Sequence, residues 1–458
     1  MKELISMPSL QSIAPRSCVV LAVMIFALLI SFASRAYFIT HTPEKDEWID
    51  LCIYVDGGQL VERGINPYDY TDGREERQRL RTDKIAYNPY VCSDQARWDY
   101  YASSNLPLSL LFYGVINKIA ASNLVTWRWL LMACDCLLSL VIAYYVLCLW
   151  PDRGGLGKWI PALLLGALSP LLIAWGVVLP EDKGVQILLM LSAILLARSP
   201  SRGVRLFLAP LVLGSSISFK GLGVFIAPLC LYYALQVAAP LGRQNWRRIA
   251  FDACSFGGLT FLSCAIWFIP FGKGVIDMMV YRLQSNLGTA IGHGSMWRYF
   301  QRIYPESWAG IRITYLIAMA VIIAYGCWRK RFKLEIVTAL LLLAFTIILL
   351  LNGSMDRMHI GIIVSLLLLG ETWGGYIHTL LIYYVLGGLV ILCNVFPPWN
   401  KFLYGIQFVD AEFPDALFCL GFVALVTLGC AYYSFWPKAV KDDRQDTGLG
   451  AINPTEKR

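Results

Sequence analysis

Charge is scarce in this sequence. Asp, Glu, Lys and Arg make up 15% of its 458 residues, against about a quarter in a soluble globular domain, and that scarcity excludes an ordinary water-soluble fold. Histidine is scarcer still, at four residues, and none falls in a close Cys/His cluster, which argues against a structural zinc site. Internal repeats, low-complexity tracts and a separate soluble domain are lacking as well. A carrier built from repeated halves would show matched segments and mid-membrane polar breaks, so the missing repeat weighs against a transporter.

What the chain has instead is apolar length. Hydrophobic residues form 57% of it, in runs near the ~20 residues that span a bilayer. Such runs fall near 17–39, 125–150, 159–179, 184–197, 204–219, 221–239, 249–271, 311–328, 334–351, 358–370, 377–396 and 414–436. These predict an all-α polytopic membrane protein of about twelve crossings. The first run is longer than a signal-peptide core and has no obvious small-residue cleavage site, so it reads as a retained helix.

Basic residues of short loops set the orientation. Lys2 and Arg16, Arg198, Arg202 and Arg205, then Arg243, Arg247 and Arg248, then Arg329, Lys330, Arg331 and Lys333, and finally Lys438, Lys441 and Arg444 all fall on one side of a twelve-span chain. That side is expected to be cytoplasmic. Loops 40–105, 179–184, 272–310, 352–358 and 397–413 then share the outer face. Loop 40–105 holds 13 acidic and 8 basic residues, so the chain's net +8 is topological and gives no sign of nucleic-acid binding. Residues 1–436 are expected to form a single membrane domain, and the polar tail 437–458 a disordered cytoplasmic end.

Within the first outer loop, Ile49 to Arg63 has a loosely helical apolar spacing, Gly64 suits a C-cap, and Asn66-Pro-Tyr68 reads as a turn. The charged stretch 74–84 reads as a solvated excursion. Residues 106–120 are apolar but short, and a crossing there would break the charge rule. An interfacial or re-entrant helix is expected. Most of the 13 cysteines lie in apolar runs and act as small hydrophobes. Cys52 and Cys92 share the outer loop, where an oxidising compartment would permit a disulfide.

Carboxylates carry the first chemical signal. Asp46 and Asp50 are four residues apart and share a helical face, with Glu47 close by. A carboxylate at a membrane surface can act as a general base if a hydroxyl comes within hydrogen-bonding reach, or it can simply solvate the loop. Asp182 heads a span. It could orient an acceptor or carry a divalent cation, or serve as an ordinary helix-start carboxylate favoured by the dipole. Lys220 ends an apolar run, where phosphate binding and snorkelling are both open. In loop 272–310, Lys273, Arg282, His293, Arg298 and Arg302 lie among Gly288, Gly292 and Gly294, a composition suited to phosphate but also to a plain polar loop. Asp135 lies mid-span, where its burial demands a partner. Asp356, Arg357 and His359 fall between late spans, where contact with donor phosphate and a local ion pair are both open, the ion pair favoured.

The run Asp50-x-x-x-Tyr54, then Gly64-x-Asn-Pro-Tyr68, then Leu106-Pro-Leu108 ahead of an apolar segment resembles the first outer loop of GT-C glycosyltransferases. The likeness is closest to the polyprenol-phosphate-sugar-dependent mannosyltransferases, including the enzyme that adds the first mannose of GPI anchors. Cys134-Asp135-Cys-Leu-Leu138, Ser169-Pro170 with Glu181-Asp182, and Phe219-Lys220-Gly-Leu222 with Pro228 extend the resemblance over residues 20–230. Where the GPI enzyme has a second acid the chain has Trp48, and Leu106 replaces the usual aromatic.

The resemblance implies a GT-C-like fold and transfer of a sugar, mannose or another hexose, from a polyprenyl-phosphate donor to a glycan, lipid or protein acceptor. Asp50 would be the general base, with inversion at the anomeric carbon. Asp46, Glu47, Tyr54, Tyr68, Asp182, Lys220, Arg282, His293 and Arg298 would bind substrate. No cofactor or resident metal is required, and a role for magnesium or manganese stays open. An O-antigen ligase or polymerase, with loop 272–310 as its basic loop, and a lipid or sugar transporter are the alternatives. The terminal Thr455-Glu-Lys-Arg458 lacks a retrieval signal, which favours a bacterial inner membrane with the site on its periplasmic face.

Overall fold

In the computed structural model the described residues are 17–41, 49–68, 105–121, 123–150, 158–178, 180–236, 246–288 and 304–329, with isolated positions 363, 364, 367, 368, 371 and 384. They are helical throughout, with no strand among them. The apolar runs of the first three-quarters of the chain become helices close to the expected bounds. These are α1 (Ser17–His41), α4 (Leu124–Leu149), α7 (Lys183–Ala197), α8 (Ala209–Lys220), α9 (Gly223–Gln236), α10 (Trp246–Ala265) and α12 (Trp308–Arg329). Segments Val20–His41, Leu124–Leu149 and Trp246–Phe271 are long and apolar enough to cross a membrane, while Lys183–Ala197 and Gly223–Leu235 are shorter apolar helices. The four expected spans from 334 onward and the tail lie outside the described residues, apart from those isolated positions.

Local chemistry sets the helix ends. Asn123 caps α4, its side chain accepting from the Thr126 backbone N–H at 2.9 Å. Helix α2 (Ile49–Glu62) stops at Gly64, which sits at φ 73° in the left-handed region that glycine adopts without a Cβ penalty. The Gly64 N–H reaches Val61 O at 2.9 Å and the Ile65 N–H reaches Leu60 O at 2.9 Å. Ile65 packs on buried Leu60, completing a Schellman motif. Beyond it the Asn66 side chain accepts from the Tyr68 N–H at 3.1 Å, closing the expected turn.

The run 159–179 is interrupted rather than smooth. Helix α5 (Trp159–Ala162) widens into a π-turn (Leu163–Ala167), resumes as α6 (Pro170–Ile173) and widens again (Ala174–Val178). Pro161, Pro170 and Pro180 remove backbone donors along this stretch. Carbonyls in and beside the widened turns accept from side chains. Gly166 O accepts from Ser139, Ala167 O from Arg35, Val177 O from Arg128, and Leu164 O and Leu168 O from Tyr384.

The main core runs down the bundle through Leu138, Ile142, Tyr145, Val146, Ile187, Met190, Ile194, Leu213 and Tyr233. A second core stands at one end, here the upper end, where residues of α2, α3 (Pro107–Ala120) and α11 (Lys273–Gly288) pack together around Tyr54, Tyr68, Leu110, Tyr113, Trp127, Phe271 and Val275. Helix α3 does not traverse the bundle. Tyr68 of the upper layer donates to Asn105 O just before it. Asn117 in its last turn meets Trp127 in the first turn of α4. Val115 and Ile119 leave an apolar strip exposed.

Candidate functional site

Asp182 immediately precedes α7 and stands where an N-cap residue stands, yet its side chain makes no capping bond. It turns into the upper core and is fully buried. Tyr54 of α2 donates to its Oδ1 at 3.1 Å. Tyr113 of α3 donates to Oδ2 in a short hydrogen bond. Lys220, the last residue of α8, forms an ion pair with Oδ1. The two tyrosine rings stack with centroids 4.6 Å apart, and the Lys220 ammonium lies 5.7 Å from the Tyr54 centroid. Four elements therefore meet on one carboxylate.

The electrostatics favour this pair twice. An anion at the start of α7 and a cation at the end of α8 each complement a helix dipole, and hydrogen bonds to an ionised carboxylate are about twice as strong as neutral ones. Lys220 keeps 21% of its side chain exposed while Asp182 keeps none, so the lysine lies at the edge of the cluster and the carboxylate is sealed within it. The flanking Glu181 and Lys183 form a second buried ion pair at 2.6 Å.

Among the sequence-derived candidates, Tyr54, Asp182 and Lys220 come together here. Tyr68 stands nearby in the same upper core, packed edge-on against Phe271 at 5.2 Å, and burial pushes its phenol well above the ordinary value. Asp50 lies in the first turn of α2, one helical turn before Tyr54, and Arg282 lies within α11; the side chains of both fall outside the described residues. Asp46, Glu47, His293 and Arg298 lie outside the described residues altogether, as do Cys92, Asp356, Arg357 and His359. Asp182 does stand at a helix start, and its oxygens go to tyrosines and lysine and not to the helix N–H groups.

Two residues that the sequence reading passed over matter most. Tyr113 sits mid-way along an apolar helix, where nothing in the periodicity separates a carboxylate ligand from a core aromatic. Arg35 lies near the end of α1 and is the partner that Asp135 demanded, at 3.9 Å with both side chains buried. Arg35 Nη1 also donates to Ser31 Oγ at 2.6 Å and to Ala167 O at 3.0 Å. Asp135 is wrapped by glycines: a Cβ on Gly176 would lie 1.3 Å from its Oδ2, and one on Gly184 would lie 1.8 Å from its Oδ1. Asp135 thus lies buried against the first turn of α7, with a partner set of its own that shares no residue with the Asp182 cluster.

Among the described residues no three His, Cys, Asp or Glu side chains are grouped to hold a metal ion. The sequence matches no protein-family model and no curated protein.

Proposed function

We propose that the chain is a polytopic, twelve-span membrane glycosyltransferase of the bacterial inner membrane. It moves a hexose, mannose foremost, from a polyprenyl-phosphate donor to an acceptor hydroxyl at the periplasmic face. The upper end of the bundle is that face in this reading. The observation that carries it is the convergence of Tyr54, Asp182 and Lys220: three residues chosen for surface chemistry, up to 166 positions apart by their numbers, meet beside the helix that bears Asp50.

The chemistry follows from the groups available. Asp50 takes the acceptor proton as the hydroxyl oxygen attacks the anomeric carbon from the face opposite the phosphate. The bond between that carbon and the phosphate oxygen breaks, and its electron pair leaves with the polyprenyl phosphate. One new glycosidic bond forms with inversion. The part-exposed Lys220 offsets the departing charge as a point cation, and the donor's lipid tail stays in the bilayer.

The test uses the full chain in lipid nanodiscs with radiolabelled polyprenyl-phosphate hexoses and candidate acceptors. Wild-type protein is expected to transfer label, and Asp50→Asn to lower transfer by about 10²–10⁴-fold, the usual span of general-base assistance. No transfer from any such donor, or full transfer by Asp50→Asn, overturns the reading. A carrier would instead move substrate across vesicles with no glycosidic bond broken.

A further inference from the structure

The carboxylate of Asp182 is held by three donors and sealed from solvent. Tyr54 and Lys220 share Oδ1, Tyr113 occupies Oδ2, and no part of the residue reaches solvent. A general base or a metal ligand needs a lone pair open to its substrate or ion. A buried acceptor surrounded by donors instead fixes whatever carries those donors. Here the donors sit on α2, α3 and α8, while the acceptor heads α7.

We propose that Asp182 is a positioning residue: one carboxylate ties the α2–α3 layer to the ends of α7 and α8, and so sets the height and rotation of the helix turn that bears Asp50. The rest of the interface supports this division of labour. Gly58 of α2 lies so close to α3 that a Cβ there would be 2.6 Å from Tyr113 O, and a Cβ on Gly114 of α3 would be 2.8 Å from Val61 Cγ1. Those contacts make α2 and α3 move as one unit. Phe112 of α3 against Phe219 of α8, ring centroids 5.7 Å apart and edge to face, adds apolar packing between the layer and α8. Tyr54 and Tyr113 each bring one donor from that unit to the carboxylate.

The functional half of this inference, that the tie sets up Asp50, rests on the glycosyltransferase reading; the tie itself does not. Hydrogen exchange on the full chain in nanodiscs separates the two. Asp182→Asn, Tyr54→Phe and Tyr113→Phe are each expected to raise exchange in peptides covering 49–62 and 107–120 by about tenfold or more, with peptides from the lower half of α4 unchanged. In the transfer assay the same variants are expected to lower kcat at constant donor KM, with the shape of the pH–rate profile unchanged, because the base is intact but misplaced. Tyr113→Phe deletes a single oxygen, so it remains informative if Asp182→Asn fails to fold.

Unchanged protection of α2 in both tyrosine variants overturns the proposal. Lost transfer with α2 protection intact also overturns it, since Asp182 would then act on substrate directly. A wild-type protein inactive toward every donor, whose variants still loosen α2, overturns the enzyme reading and leaves the tie standing.

Discussion

Gly184→Ala sets two known effects against each other. Position 184 lies in the first turn of α7, where alanine normally stabilises a helix over glycine by up to ~1 kcal/mol. The new methyl carbon, however, would stand 1.8 Å from Asp135 Oδ1. To regain ordinary contact the carboxylate must recede by about 1.5 Å. Its partner Arg35 is already 3.9 Å away, and the Gly176 backbone stands directly against Oδ2, with no room there even for a Cβ. The pair therefore breaks, leaving two buried charges uncompensated, at about 3–5 kcal/mol. The net expectation is destabilisation by about 2–4 kcal/mol after the propensity gain.

Equilibrium unfolding in mixed detergent micelles measures this directly. The control is an Arg35→Met/Asp135→Ala background, where an apolar replacement of the pair is tolerated. With the carboxylate gone, the remaining Asp135 atom that Gly184 faces is the backbone Cα at 3.9 Å, an ordinary contact. There Gly184→Ala should cost less than about 0.5 kcal/mol. If Gly184→Ala is neutral in the wild-type background, or costs the same in both backgrounds, the ion-pair argument is wrong.

Gly58→Ala drives a methyl group into the Tyr113 carbonyl at 2.6 Å and is expected to destabilise by about 1–3 kcal/mol, with greater hydrogen exchange in α2 as the readout. Glu371 accepts from both Arg198 nitrogens, at 2.9 and 2.5 Å, and from Tyr145. Glu371→Gln should therefore cost about 3 kcal/mol, and much less in an Arg198→Met background; strict additivity would refute the coupling. Because burial raises the Tyr68 phenol, the folded state keeps that proton after the unfolded chain has lost it. Stability from this group is thus full below about pH 10 and falls as pH rises past it. Tyr68→Phe should flatten that alkaline decline at a cost of about 1 kcal/mol near neutrality, from the lost bond to Asn105. A wild-type unfolding curve that is level above pH 10 would count against it.

Hydropathy made the helices legible, because a lipid-facing or buried helix must be apolar for its whole length and the chain prints that length plainly. Gly64 and Asn66 also announced their stop and turn, since each acts through its own backbone within a few residues. Partnerships over long separations were not legible. Nothing around Arg35 names Asp135, which is 100 positions away, and Tyr113 looks like any aromatic on an apolar helix. The site was half visible: Tyr54, Asp182 and Lys220 stood out as polar groups at the ends of apolar runs, whereas their mutual geometry depends on how four helix ends meet. Gly176 and Gly184 gave no turn signal either, because their role is to leave room for a distant carboxylate.

The widened turns of 159–178 bear on how the protein is made. A regular helix enters a bilayer with its carbonyls already paired. This segment borrows donors from Arg35 and Ser139, which are synthesised before it, and from Tyr384, more than 200 residues downstream. Until the ribosome has delivered residue 384, Leu164 O and Leu168 O lack that hydroxyl. A nascent chain halted before this point should therefore hold the segment loosely in the membrane, and delivery of Tyr384 should seal it.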